Sequence, residues 1–275
     1  MARNFRIIFN NDSYPVRIFE DNHDTMKETV QNAVSAGVSL QNANLRQQDL
    51  TGIILRNADL RGANLTLTHL GHTIFIDCNF HGARMLQVGM DHSVCHVCDF
   101  TAANLEDASL LHFSADRCSF ISAQMQGVDM NFSNVAGSDF TQAILHRVTC
   151  NFCNFYRVDM TQASLHASQF KNSFFGDAIF KETALSWGSH DIIAAILRSH
   201  AGQNRNRRKL AAIVLGCRDT CWDGFLRQDH PEKKWALKTL LKYPDSSPTG
   251  HNHERLERAL KRLEEKEATV ERKSS

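Results

Sequence analysis

Three histidines recur at a single spacing: His72, His92 and His112 lie twenty residues apart. Imidazole is the commonest metal ligand and the side chain that changes charge in mild acid. Three of them brought into one stack would suit a transition metal or a pH response. Two Cys-x-x-Cys pairs, Cys95 with Cys98 and Cys150 with Cys153, have the spacing of zinc or iron–sulfur half-sites. A looser pair, Cys217 and Cys221, follows nearer the C-terminus. Arg205, Arg207, Arg208 and Lys209 form a basic cluster of the kind that contacts phosphate. The 275 residues contain no phosphate loop, nucleophile elbow or metal-protease motif. Which of these groups meet depends on the elements that carry them.

Those elements have a period of five. Every fifth residue from Leu40 to Leu185 is apolar: twelve Leu, nine Phe, five Met, two Cys, Ala115 and Val135, with no slip in register. Neither the helical period of 3.6 nor the strand period of 2 produces this. A second column lies two residues earlier in each unit, beginning Val38, Ala43, Gln48, Ile53 and Ala58. Twenty-seven of its thirty members are Ala, Ser, Thr, Cys or Val. One large and one small inward residue per five fit a narrow tube. One unit tests the rule, because Phe113 and Ala115 exchange the two sizes while conserving volume, a change that cores tolerate well. Phe113 is therefore expected to be buried.

Units such as Ala43-Asn44-Leu45-Arg46-Gln47, Ala58-Asp59-Leu60-Arg61-Gly62 and Ala103-Asn104-Leu105-Glu106-Asp107 resemble the pentapeptide-repeat family, whose pattern is small–Asp/Asn–Leu/Phe–polar–any. The resemblance covers about 150 residues and implies a mainly β fold. That fold is a right-handed, four-sided β-helix solenoid with twenty residues per coil and about seven and a half coils, roughly 36 Å long at the usual strand spacing. Residues twenty apart then stack. Leu40, Leu60, Phe80, Phe100, Phe120, Phe140, Met160 and Phe180 become one core ladder, with Cys78, Cys98 and Cys118 beside it. All four Cys-x-x-Cys thiols fall on inward columns, where free cysteine packs as a small hydrophobe. Cys217 and Cys221 are read as core as well, and reduced thiols imply a cytoplasmic compartment.

Stacking also turns the outer surface into stripes. His72, His92 and His112 continue into Phe132 and Phe152 at one outward position. The histidines are a weak metal candidate beside plain side-chain stacking, while exposed phenylalanines usually meet something. Ile54, Ile74, Ile76, Val94 and Val97 form an apolar stripe where polar residues are expected. Either the terminal elements of the chain cover it or another chain does, a second copy included. For Arg205, Arg207, Arg208 and Lys209 the ordinary reading is a solvated helix start. No aromatic residues are interleaved with them, so a nucleic-acid partner is not expected.

The domains expected are 1–37, a hairpin and capping helix; 38–187, the β-helix; 188–245, an α-helical cap; and 246–275, a linker and charged terminal helix. Phe5–Phe9 and Val16–Phe19 flank the turn-rich 10–15, and a helix runs from about Asp24 to Ala36, stopped by Gly37. Beyond Trp187 helical spacing takes over. Ser189 can cap a first helix; Leu210–Leu215 mark a second and Asp219–Leu226 a third. Pro231 opens a fourth, and about His253–Arg272 form the last, with a stripe of Leu256, Leu260, Leu263 and Val270. No secretory signal or membrane span is expected.

The net charge of +1 conceals a split, −4 over residues 38–187 and +6 over 188–275. A non-enzymatic scaffold that binds another protein, with no cofactor, is the first expectation of function. The alternative comes from the resemblance: some pentapeptide-repeat proteins mimic DNA and bind type II topoisomerases such as gyrase. A charge of −4 along such a rod lies far below the one charge per about 1.7 Å of duplex DNA.

Overall fold

The computed structural model describes residues 5–8, 17–21, 25–185, 190–216, 225–226, 229–245 and 251–274. Four columns of parallel bridges, each repeating every twenty residues, run through the central region. One passes Asn44, Asn64, Arg84, Asn104 and Gln124; another passes Asp59, Asn79, Asp99, Ser119 and Asp139. Four bridges per twenty residues make four sides. On one side the pairing lengthens into strands β3 (Ile54–Arg56), β4 (Ile74–Ile76), β5 (Val94–His96) and β6 (Ser114–Asp116), in parallel register.

The two inward columns are buried throughout, apart from Val38, Gln48, Ser173 and Ala178, which are only half-buried. Phe80, Phe100, Phe120 and Phe140 stack with centroids 4.7–5.0 Å apart. The hydroxyls of the small column are satisfied within the wall. Thr68, Ser133 and Thr183 each donate to the carbonyl oxygen of the large residue 23 positions earlier, at 2.7 Å. A buried hydroxyl without such an acceptor would be costly, which explains why Ser and Thr are admitted only at this position. Many of the units have Asp or Asn before the large residue, and there the side chain can close an Asx turn. Asn79, Asp99, Asp139 and Asp159 accept from the backbone N–H two residues on at 2.8–2.9 Å. At Asp59 the Arg61 guanidinium, 2.7 Å away, lowers the carboxyl to about 2 against the opposing effect of burial. These carboxylates hold turns.

Both ends are capped. Strands β1 (Phe5–Ile8) and β2 (Arg17–Asp21) form the antiparallel hairpin, and the Asn44 N–H bonds to the Ile8 carbonyl, extending the hairpin onto the first coil. Helix α1 (Met26–Ser35) starts at Thr25, which accepts from the Glu28 N–H, and ends at Gly37 with φ +72°. Val30 and Ala33 bury its inner face. At the far end α2 (His190–His200), α3 (Arg205–Gly216), α4 (Lys233–Leu240) and α5 (His251–Ser274) replace the coil. Helices α2, α3 and α4 pack through Ile192, Ile193, Ile196, Leu210, Val214, Leu237 and Leu240. The chain after α4 returns to the solenoid. Asp245 bridges Leu185 in parallel, and the Leu185 N–H bonds to the Pro244 carbonyl, pairing the final residue of the last coil. The expected turn at 10–15, most of the third helix, the 246–250 linker, Trp187, Ser189, Cys217, Cys221 and the Val270 side chain lie outside the description. Phe225 and Leu226 of the third helix are helical.

Phe113 and Ala115 are each 1% exposed, so the exchanged unit keeps both side chains inside. Phe113→Ala should cost about 3–5 kcal/mol in denaturant unfolding. Adding Ala115→Phe should recover more than half of that loss, a coupling that a double-mutant cycle reads directly. Additive losses would show that the two residues do not share one volume.

Candidate functional surface

The corners of the coil set the geometry of the outer surface. Each corner residue, two after the large one, holds a positive φ: 24 non-glycine residues do so, Asn42 at +56° and Glu182 at +56° among them, with glycines at 52, 62, 82, 127 and 137. At most corners the chain closes a bond such as Ala43 N–H to the Leu40 carbonyl, 3.0 Å. The left-handed region costs an L-residue about 1–2 kcal/mol, less for Asn and Asp. For a bulky or β-branched side chain it is an outlier. Val97 (+52°), Phe132 (+62°) and Phe152 (+60°) are such outliers, and His72, His92 and His112 share the same kind of corner.

The five corner rings form one continuous stack. His72 to His92 is 5.0 Å, His92 to His112 4.8 Å, His112 to Phe132 5.1 Å and Phe132 to Phe152 5.2 Å, with planes within 14° of parallel. Phe132 and Phe152 remain 52% and 53% exposed. The rings lie face on face, so their nitrogens cannot converge on one ion. Among the described residues no group of three or more His, Cys, Asp or Glu could hold a metal. His72, His92 and His112 thus lie as a stack of parallel rings, the plainer of the two readings of this column.

Two residues after the ring corner comes the outward position of the strand face, where Ile54, Ile74 and Val94 align in register. They are 46%, 36% and 43% exposed, and Val97 is 43% exposed, so among the described residues none buries this stripe. Ile76 is half-buried, in register with His96 of β5. Beside it His96 Nδ1 meets Asp116 at 2.8 Å, and Arg117 reaches His96 Nε2 at 3.0 Å. Going down the rod, the apolar surface passes from the Ile54–Ile74–Val94 column to the neighbouring Phe132–Phe152 column.

The column-by-column reading missed Phe174 and Ile179, 56% and 50% exposed. They occupy the outward position where most units carry Asp, Asn or Ser, and that substitution was a signal in the sequence. Phe174 stacks on Tyr156 at 6.1 Å and lines a cavity of about 360 Å³ against α2.

The six cysteines of the solenoid are free and buried, and burial keeps the Cys95 and Cys150 thiols protonated far above the usual range. The basic cluster is partly engaged. Arg207 pairs with Glu232 at 2.9 Å and lies over the Trp235 ring at 4.7 Å, while Arg208 donates to the Gly202 carbonyl at 2.7 Å. Arg205 and Lys209 are exposed. Among the described residues no helix is long and apolar enough to cross a membrane.

Coil and surface define a four-sided β-helix repeat protein whose outward side chains run in ladders. A family model for pentapeptide repeats matches eight copies, over residues 39–70, 53–86, 98–134 and 125–162. Residues 39–86 and 98–162 are thus matched as pentapeptide repeats. Its solenoid is similar to a trypsin-treated variant of QnrB1, a plasmid-mediated fluoroquinolone resistance protein. The two are 16% identical over 53% of this chain and 73% of the other, with a TM-score of 0.48. It is also similar to Rfr23 from the cyanobacterium Cyanothece 51142, at 13% identity over 40% and 63% of the two chains and a TM-score of 0.28. The third likeness is to HetL, involved in heterocyst differentiation regulation in Nostoc, at 16% identity over 59% and 95% and a TM-score of 0.22. No curated protein matches the chain in sequence.

Corner strain gives the prediction. Val97→Asn should stabilise the protein by about 0.5–1 kcal/mol, because Asn tolerates the left-handed region. Val97→Ala, which keeps a Cβ there, should not. Equal effects of the two in denaturant unfolding would remove strain as the explanation.

Proposed function

We propose that this protein is a non-enzymatic interaction scaffold whose binding surface is the ring stack of His72, His92, His112, Phe132 and Phe152. The adjoining Ile54, Ile74, Val94 and Val97 extend it, and the ligand is another protein. The observation that carries this reading is the pair of half-exposed phenylalanines at corners where Asn or Gly would fit the backbone better. A monomer gains nothing from an outward Phe there beyond its ring stacks, and contiguous exposed apolar surface marks interaction sites. The surface is roughly 20 Å long from His72 to Phe152, enough for an extended segment or a helix face. The Asx-turn role of the repeat carboxylates removes the commonest acid–base candidates and supports a non-catalytic reading.

The DNA-mimic alternative has less support. The rod carries 9 basic and 13 acidic groups, and its best-defined surface is aromatic and aliphatic.

The double variant Phe132→Asn/Phe152→Asn relieves two corners and loses the stacks on His112 and Phe152. Its stability should therefore stay within about 1 kcal/mol of wild type. Affinity capture from the native host should retain a defined protein on wild type and on Gln142→Ala, a corner of another side, and lose it on the double variant. Light scattering of the wild type identifies a second copy if that is the occupant. Equal capture by all three proteins would reject the ring stack as the surface, and inhibition or protection of gyrase supercoiling would favour the mimic.

A further inference from the structure

Helix α5 sorts its charges onto two flanks. Its carboxylates on one flank face α4: Glu267 meets Lys234 at 2.6 Å, and Glu264 meets Lys238 at 3.2 Å. On the other flank Arg255, Arg258, Arg262 and Lys266 follow at steps of three and four, which places them on one face. With Lys233 of α4 they line a cavity of about 510 Å³ over an apolar floor of Leu226, Ala259 and Leu263. Five cations line it, with no carboxylate among the described lining residues.

Such an arrangement opposes folding unless something compensates. The pairs Arg258/Arg262 and Arg262/Lys266 are like charges at i, i+4, a spacing that destabilises a helix. The Lys233 ammonium is half-buried and donates to the Leu226 carbonyl. Burial lowers its pKa below the ordinary lysine value and Lys266 adds to that, against the opposing pull of Asp229. Glu254 lies 3.8 Å from Arg258. An adjoining depression of about 390 Å³ shares Lys233, Leu263 and Lys266 and adds Asp229 and Glu267. Those carboxylates bound the basic zone on that side. Arg262 and Lys266 are exposed and have no ion pair among the described residues.

We propose that the cavity between α4 and α5 binds a small anion bearing linked phosphate groups, held by Arg258, Arg262, Lys266 and Lys233. The span from Arg255 to Lys266 is roughly 16 Å along the helix, wider than a single phosphate. Guanidinium forks grip phosphate oxygens in pairs, and the apolar floor accepts an organic body if the phosphates carry one. This site is separate from the ring stack and stands or falls without it.

Isothermal titration of the full chain with tripolyphosphate, ATP and orthophosphate tests the proposal. Tripolyphosphate should bind at one site and weaken as salt screens the charges, with orthophosphate at least about tenfold weaker. Arg262→Gln and Lys266→Gln, both at exposed positions, should each reduce affinity about tenfold, the usual loss for a hydrogen bond to a charged group. Arg205→Gln/Lys209→Gln, on α3, should leave it unchanged. ATP binding more tightly than tripolyphosphate would assign the floor to an organic body, and equal binding would assign recognition to the phosphates alone. No binding at low salt, or equal binding by the α5 variants, would overturn the proposal. So would a short DNA duplex that binds more tightly than tripolyphosphate.

Discussion

The corner is the constraint on which this molecule depends. Each coil turns four times, and each turn requires one residue in the left-handed region two places after a buried residue of the five-residue inward column. Meeting that requirement at 29 successive corners keeps the units in register, because a missed corner would turn every following side chain to the wrong face. The inter-coil bonds, the inward ring stack from Phe80 to Phe140 and the hydroxyl bonds of Thr68, Ser133 and Thr183 all presuppose it. Stability then accumulates coil by coil through nearest neighbours, and exposed ends become the weak points. Hence the hairpin at one end and the returning Pro244–Asp245 segment at the other.

The same constraint gives the outer surface its meaning. Gly, Asn and Asp satisfy a corner cheaply, and they occupy many of them. A corner filled by Val or Phe carries a local cost, so Val97, Phe132 and Phe152 stand apart from their neighbours on energetic grounds as well as by exposure. Ring stacking offsets part of that cost for the phenylalanines. Val97 has no such compensation.

Much of this was legible in the sequence because a period of five leaves little freedom. The inward columns, the exchange of Phe113 and Ala115, and the fate of Cys95, Cys98, Cys150 and Cys153 follow from register alone. The histidine spacing was equally visible, but its consequence was not. Whether three imidazoles converge or lie parallel depends on ring orientation, which spacing does not encode. Exposure of Ile54, Ile74 and Val94 depended on where the terminal elements pack, a long-range matter. Phe174 and Ile179 are readable by the column rule, as apolar residues where most units carry Asp, Asn or Ser. The basic cavity joins residues of α4 and α5 across the 246–250 segment, and linear clusters such as Arg205–Lys209 hide that kind of convergence.

We propose one corner column of the rod as a protein-binding surface. Photo-crosslinking in the native host tests it most directly, with a photoreactive phenylalanine placed at position 132 and, separately, at position 142, the corner that carries the Gln142–Gln162 hydrogen bond of 2.9 Å on another side. One discrete adduct is expected from position 132 and none from position 142. Equal crosslinking from the two corners, or none from position 132, would contradict it.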